Sequence, residues 1–215
     1  MACTCENFLK IRVLSYYITM NKLLITSFLI LFSISCAFGD NWPSWRGADA
    51  SGSIDRGYYP PELNLQKNLL WKAPLPDKGC STPIVWNDSI LLTSPIKGED
   101  AVISFSINGE MNWQTKIGPE RKGRHLNGSG SNPSVVTNGK NLYALFKSGN
   151  LACLDFSGKI IWKKDLSSYG KDTLYWDFGT SPVLTSKHLI VALMRKGNSW
   201  LLAFDPENGK VAWKK

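Results

Sequence analysis

Residues 155–166 read DFSGKIIWKKDL and place Gly158 four positions before Trp162. The same glycine-to-tryptophan interval recurs in INGEMNW (107–113) and in ENGKVAW (207–213). A glycine supplies the positive φ that a tight turn needs, and the tryptophan then projects from the strand that follows the turn. Three recurrences in one chain predict a structural repeat in which each unit ends with a turn and an outer strand.

The repeat extends upstream to a proline that opens each unit. Pro83, Pro133 and Pro182 are 50 and 49 residues apart. Each unit holds four short runs of β-branched, aliphatic and aromatic residues, separated by turn signals such as Asn138-Gly139. Four antiparallel strands in about fifty residues are typical of a propeller blade. The sequence therefore predicts an all-β fold, a β-propeller built from four-stranded antiparallel blades.

The unit boundaries predict three blades in a partial propeller at 65–215, at about 79–117, 130–166 and 178–215. The run LLWKAPL (69–75) predicts one orphan outer strand, and an irregular leader at 40–64 precedes it. Closed propellers have about 4–8 blades. We therefore expect an incomplete propeller in a truncated or partial chain, whose unpaired edges favour self-association.

The N-terminal region predicts export. Met20-Asn21-Lys22 leads into an apolar run and then into small residues that end at Gly39, which is typical of a secretory signal peptide at about 20–39 that is cleaved before Asp40. We assign 1–39 as an N-terminal extension and signal peptide. Ser33 fits a lipoprotein signal poorly, so we favour cleavage over a lipid anchor at Cys36. The apolar run is shorter than the ~18 residues of a spanning helix, so the mature chain, periplasmic or secreted, is expected to have no transmembrane helix.

The charge and the cysteines narrow the function classes. After removal of 1–39, 22 basic and 16 acidic residues remain, with a net charge of about +6 and no concentrated basic stripe. This distribution argues against nucleic acid and allows a mild attraction to anionic glycans. Cys80 and Cys153 allow one disulfide but do not form a framework.

Candidate binding residues lie in the two long connections between blades, 117–130 and 166–179. Both connections precede an innermost strand, so both should open on the same face near the central channel. Their charged and aromatic side chains suit a polar ligand or a peptide. The alternative is a structural role, in which Trp176 packs under its own loop and Asp177 caps a turn. We predict no catalytic and no metal-binding residues, since the two histidines form no cluster and no nucleophile or phosphate motif is present. The candidate residues are Arg121, Arg124, His125, Asn127, Tyr175, Trp176 and Asp177.

The stretch LLAFDPENGKVAW (201–213) resembles the tryptophan-docking motif A-x-D-x-x-T-G-x-x-x-W, with Asn208 in place of Thr. The segment WPSWRG (42–47) resembles the start of secreted bacterial members of the pyrroloquinoline-quinone-like, quinoprotein-type β-propeller repeat family, whose function is unassigned. In this frame Cys153 replaces the motif alanine as a small packed residue. The resemblance assigns a docking role between blades to Trp71, Gly109, Trp113, Asp155, Gly158, Trp162, Ala203, Asp205, Gly209 and Trp213.

The resemblance implies several functions. The propeller lipoprotein of the outer-membrane assembly machinery is a related non-catalytic scaffold. The quinone-dependent dehydrogenases hold pyrroloquinoline quinone with a disulfide between adjacent cysteines and with calcium, and this chain has no adjacent cysteine pair. Quinone and calcium are therefore expected only if further blades supply the site. A polysaccharide-binding module is the remaining alternative. We favour an exported, non-catalytic scaffold with a protein partner in the cell envelope.

Overall fold

The computed structural model describes residues 41–54, 61–170, 174–195 and 197–215. The predicted signal peptide and Cys36 lie outside these residues. Within this part of the chain no helix is long and apolar enough to cross a membrane. The described elements are one 3₁₀ turn at Ser167–Tyr169 and the strands β1 Ile84–Trp86, β2 Ser89–Ile96, β3 Glu99–Ser106, β4 Met111–Pro119, β5 Val136–Thr137, β6 Leu142–Leu145, β7 Asn150–Leu154, β8 Ile160–Asp165, β9 Val183–Leu184, β10 Leu189–Leu193, β11 Trp200–Phe204 and β12 Val211–Lys214.

The strands form three antiparallel sheets in chain order, β1–β4, β5–β8 and β9–β12. This arrangement confirms the predicted all-β propeller architecture with four-stranded blades, here as an incomplete propeller. Pro83 and Pro182 directly precede β1 and β9, where a missing N–H removes no ladder hydrogen bond. We name the sheets blade one, blade two and blade three.

The hydrophobic core lies between successive blades. Leu91 and Val102 of blade one pack in one cluster with Ala144 and Ala152 of blade two. A second cluster joins blade two to blade three, and it includes Tyr143 and Leu202. Each blade is therefore stabilised mainly by the faces of its neighbours.

The repeated tryptophans connect each blade to the next one. The Trp113 indole of β4 donates its Nε1–H to the Phe156 carbonyl at 2.9 Å, and a Cβ on Gly158 would lie 2.6 Å from the ring. The Trp162 indole of β8 donates to the Pro206 carbonyl at 2.9 Å. Gly158 has φ +87°, so both the turn and the approach of the indole favour glycine at this position.

The other positions of the docking motif shape the turn and make room for the indole. The carboxylate of Asp155 accepts backbone N–H bonds from Ser157 and Lys159, at 2.9 and 3.0 Å. Asp205 accepts one from Glu207 at 2.8 Å in blade three. The small residue of the motif pairs with the tryptophan across the ladder, as in Cys153↔Trp162, Ala203↔Trp213 and Ser104↔Trp113.

Trp71 occupies the same docking position on blade one without belonging to a strand. Its Nε1–H donates to the Ile107 carbonyl at 2.8 Å, and a Cβ on Gly109 would lie 2.5 Å from the ring. Residues 69–75, for which the sequence predicts an orphan outer strand, carry no strand assignment. Among the described residues no neighbouring strand offers this segment a ladder, so the indole and Ala73, which packs on the apolar cluster of blade one, attach it to the blade.

The leader segment lies along the inner edges of blades one and two. Trp42 and Val85 exchange both backbone hydrogen bonds, at 2.8 and 3.0 Å, and Thr137 donates its N–H to the Pro43 carbonyl at 3.0 Å. A Cβ on Gly47 would lie 3.1 Å from the Trp42 ring, so the backbone of Gly47 packs closely on this indole. The leader thereby brings Trp45 to the face on which the long connections open.

Candidate functional site

One buried carboxylate joins the two long connections. Asp177, in the second connection, accepts the backbone N–H of Arg124 at 2.8 Å and that of His125 at 2.9 Å, both in the first connection. Asp177 has φ +69°, a left-handed conformation that Asp tolerates better than most residues. The connections of neighbouring blades are therefore held as one unit.

Lys147, two residues after the end of β6, is the cation that faces this carboxylate. Its Nζ donates to Asp177 and, at 3.0 Å, to the Lys122 carbonyl, and both side chains of the ion pair are fully buried. Burial raises the pKa of Asp177, but the hydrogen bonds from Lys147 and from the His125 and Arg124 amides outweigh burial and hold the pKa below its usual value. The carboxylate is thus ionised at neutral pH, and the pair fixes the base of both connections.

Three aromatic rings lie above this base. The His125 ring lies 4.5 Å from the Trp176 ring and 5.6 Å from the Tyr175 ring, measured between centroids. Tyr175 and Trp176 meet edge to face at 4.9 Å. Tyr175 is 69% exposed, Trp176 70% and Leu126 85%. We call Leu126, Tyr175 and Trp176 the loop platform.

A cleft of about 420 Å³ opens beside the loop platform. Its walls come from the leader, through Trp45, from the first connection, through His125 and Asn127, and from the starts of the inner strands. We call this cleft the rim cleft. No Lys, Arg, Asp or Glu side chain is among the described residues that line it.

A row of hydrogen bonds crosses the floor of the rim cleft from blade one to blade three. Thr82 donates its backbone N–H to the Ser134 hydroxyl at 2.9 Å, and Ser134 donates its own N–H to the Ser181 hydroxyl at 2.9 Å. A serine hydroxyl that accepts in this way still has its O–H to donate. The two serines therefore offer donors at fixed positions in the cleft.

The structure brings together most of the residues predicted for the site. His125, Asn127 and Trp176 line the rim cleft, whereas Tyr175 belongs to the platform and Asp177 lies in the base. Arg121 and Arg124 do not line the cleft. Arg121 is half-buried, and Arg124 is exposed while its backbone N–H contacts Asp177. The two connections, predicted to open on the same face, meet at the Asp177 carboxylate.

Sequence reasoning missed Trp45, Lys147, Ser134 and Ser181 as parts of the site. Lys147 stood out only as a charged residue at the end of the apolar run LYALF. The two serines are separated by 47 residues and meet only because successive blades repeat their inner edges in space. Trp45 is half-exposed in the leader, and no periodic pattern connects it to the blades.

A second buried carboxylate lies between blades one and two. Asp100 of β3 is fully buried, and it accepts hydrogen bonds from the Ser148 hydroxyl and, at 2.8 Å, from the Asn150 amide. Burial raises the pKa of Asp100 to about 7, although these two hydrogen bonds oppose the rise. Asp100 is therefore protonated far more readily than an ordinary aspartate, and we expect the packing of blades one and two to depend on pH.

The described residues do not fit a bound quinone with its calcium. The lining of the rim cleft offers calcium no carboxylate and offers an anionic quinone no cationic side chain. In the described part of the chain no group of three or more His, Cys, Asp or Glu is placed to hold a metal ion. Cys80 and Cys153 are both free thiols, the first exposed and the second buried. That quinone and calcium would bind only if further blades supplied the site stays a prediction.

Comparison with known proteins identifies the family. A family model described as outer membrane protein assembly factor BamB matches residues 64–215. The chain belongs to this family of quinoprotein-like propeller repeats. A comparison with curated proteins found no match.

One solved structure shows the same fold, and a second one is similar to a lesser degree. Quinohemoprotein alcohol dehydrogenase from Comamonas testosteroni matches with a TM-score of 0.62 and 16% identity over 86% of this chain. BamB from Moraxella catarrhalis matches with a TM-score of 0.46 and 15% identity, and the match covers 67% of this chain and 41% of the BamB chain. The chain spans 28% of the length of the alcohol dehydrogenase. Likeness at this identity shows the fold alone.

Proposed function

We propose that the protein is an exported, non-catalytic propeller that binds a protein partner in the cell envelope through the loop platform. The observation that carries this proposal is an exposed aromatic surface on a rigid base. Tyr175 and Trp176 project from connections that the buried Asp177–Lys147 pair holds in place. Exposed Trp and Tyr side chains that need no ordering on binding are the usual anchors of protein interfaces.

Family membership supports a protein partner. The family model carries the name of an assembly factor of outer-membrane proteins. Leu126 adds an exposed aliphatic side chain directly after His125, whose ring contacts both aromatic rings, and Arg124, the residue before His125, is exposed as well. An apolar patch with a cationic rim suits a partner segment that carries an apolar anchor and an acidic residue.

Site-specific photocrosslinking in the producing cell tests this proposal. A benzophenone amino acid at position 175 should yield an adduct with one envelope protein, and the same group at the exposed Lys187, in a turn of blade three, should not. The purified partner should then bind the full protein, and the pair Tyr175→Ala and Leu126→Ser should weaken binding at least tenfold. Identical adducts from both positions, or affinity unchanged by the pair, would remove the platform as the interface.

Export and cofactor content need their own measurements. N-terminal sequencing of the mature protein should begin at Asp40, and a chain that retains residue 20 would contradict signal cleavage.

Titration of the protein with pyrroloquinoline quinone and calcium, followed by absorbance and calorimetry, should show no stoichiometric binding. Calcium-dependent binding at one to one would replace the scaffold with an oxidoreductase.

A further inference from the structure

We propose that the rim cleft is a binding site for a neutral sugar unit, such as the end or a segment of an uncharged glycan chain. This site adjoins the proposed protein interface and shares Trp176 with it, whereas Tyr175 and Leu126 do not line the cleft. The cleft volume of about 420 Å³ falls within the ~300–1,000 Å³ of small-ligand sites. The charges, the hydrogen-bond donors and the aromatic rings each limit the ligand.

The charges of the lining exclude strongly ionic ligands. A phosphate or carboxylate ligand would lose water and gain no cationic side chain, since no Lys or Arg is among the described lining residues. A cationic ligand would likewise meet no carboxylate there. A neutral ligand loses the least on entering such a cleft.

The polar groups of the cleft suit a ligand with many hydroxyls. The Ser134 and Ser181 hydroxyls accept backbone N–H bonds, which orients their O–H groups as donors. His125 accepts the Asn127 N–H at Nδ1, at 3.1 Å, so the neutral ring carries its proton on Nε2 as a further donor. The Asn127 side-chain amide has no hydrogen bond recorded within the described residues, and it offers both a donor and an acceptor. A sugar hydroxyl, which both donates and accepts, can pair with each of these four groups.

Two tryptophans supply the apolar contact that a sugar ring needs. Trp45 is 56% exposed and Trp176 is 70% exposed, and both line the cleft. The C–H face of a sugar ring packs on the electron-rich face of an indole. His125 and Tyr175 contact the Trp176 ring, and the Arg46 guanidinium lies 5.6 Å from the Trp45 ring centroid, so both indoles are supported before a ligand arrives.

Neutral hexasaccharides are the probes that test this site on the full mature protein. The panel comprises cello-, malto-, xylo-, manno-, laminari- and chitohexaose, titrated to about 10 mM and followed by calorimetry and tryptophan fluorescence. At least one should bind, and it should slow alkylation of Cys80, whose thiol lines the cleft. Trp45→Ala should weaken that binding at least tenfold, and Ser181→Ala about threefold or more.

The control variants separate this proposal from the protein interface. Trp213→Ala changes an equally large indole outside the cleft and should leave sugar affinity unchanged, and Leu126→Ser, in the platform but outside the cleft, should do the same. No binding by any of the six sugars, or binding that Trp45→Ala does not weaken, overturns the proposal. Two other outcomes would also overturn the proposal. One is binding of a polyanion such as alginate that Trp45→Ala abolishes, and the other is binding of a peptide in the cleft.

Discussion

Replacement of Trp162 by alanine tests the docking of one blade on the next. The substitution removes an indole that packs on Gly209, contacts Tyr143 at 6.1 Å between centroids and donates to the Pro206 carbonyl. The lost hydrogen bond contributes ~1 kcal/mol. For this partly buried tryptophan, truncation to alanine should cost ~3 kcal/mol in total, at the lower end of the ~3–5 kcal/mol that core tryptophans cost. We expect the free energy of unfolding, from urea titration, to fall by this total.

The repeat provides a matched control. Trp213 has the same position in blade three, but it is 37% exposed and no turn among the described residues lies on it. Trp213→Ala should therefore cost less than about 1 kcal/mol. Gly209→Ala should cost as much as Trp162→Ala, since its Cβ would lie 2.8 Å from the indole at φ +68°. The two costs should not add in the double variant. Equal losses for Trp162→Ala and Trp213→Ala would refute the docking role.

Three further predictions concern buried groups. Asp177→Asn keeps a residue that tolerates φ +69° but removes the carboxylate that faces the buried Lys147 Nζ, so we expect a loss of ~3–5 kcal/mol, largely restored by adding Lys147→Met, in urea titrations. The folded-state pKa of Asp100 is raised from 3.8 to about 7. The stability contributed by this group should therefore be full below about pH 4 and should fall by up to ~4 kcal/mol as pH rises through 7. Asp100→Asn should flatten the profile of stability against pH, and an unchanged profile would contradict the assignment. Burial raises the pKa of the Cys153 thiol to about 12, whereas Cys80 is exposed. Peptide mapping after alkylation at pH 8 should therefore find Cys80 modified and Cys153 protected until the protein unfolds. Equal labelling of both cysteines would contradict the buried position of Cys153.

The pH dependence of the Asp177–Lys147 pair has the opposite sign to that of Asp100. Because the folded-state pKa of Asp177 is lowered, its stabilisation is complete above 3.8 and is lost as pH falls through the folded-state value. Asp100 therefore makes the folded state more stable at low pH, and Asp177 makes it more stable at high pH. A stability maximum between these two transitions follows from the two buried carboxylates.

Much of the blade architecture could be predicted because it is encoded locally. A turn glycine, a carboxylate that accepts the N–H groups of its own turn and an indole four residues later all act within one hairpin. Ser106 shows how local the signal is: in blade one it replaces the motif aspartate, and its hydroxyl accepts the same turn N–H groups, from Asn108 at 3.3 Å and Glu110 at 3.2 Å. The sequence pattern is degenerate at this position, but the turn is the same.

The candidate site could be predicted only in part, because its residues come from separate blades. The long connections and their aromatic side chains were visible as departures from the repeat. Their contact through Asp177, and the position of Lys147 beneath it, depend on the angle between blades two and three. No local pattern reports that angle.

By itself the sequence determined the repeat, the four-stranded blade and the residues that connect one blade to the next, since these depend on turn chemistry and strand alternation over short distances. Only the tertiary structure decided that Trp45, Ser134 and Ser181 share one uncharged cleft. These residues are far apart in the chain, and side-by-side packing of the blades brings them together. Packing of that kind is set by buried surfaces between blades, which the spacing of residues along the chain does not specify.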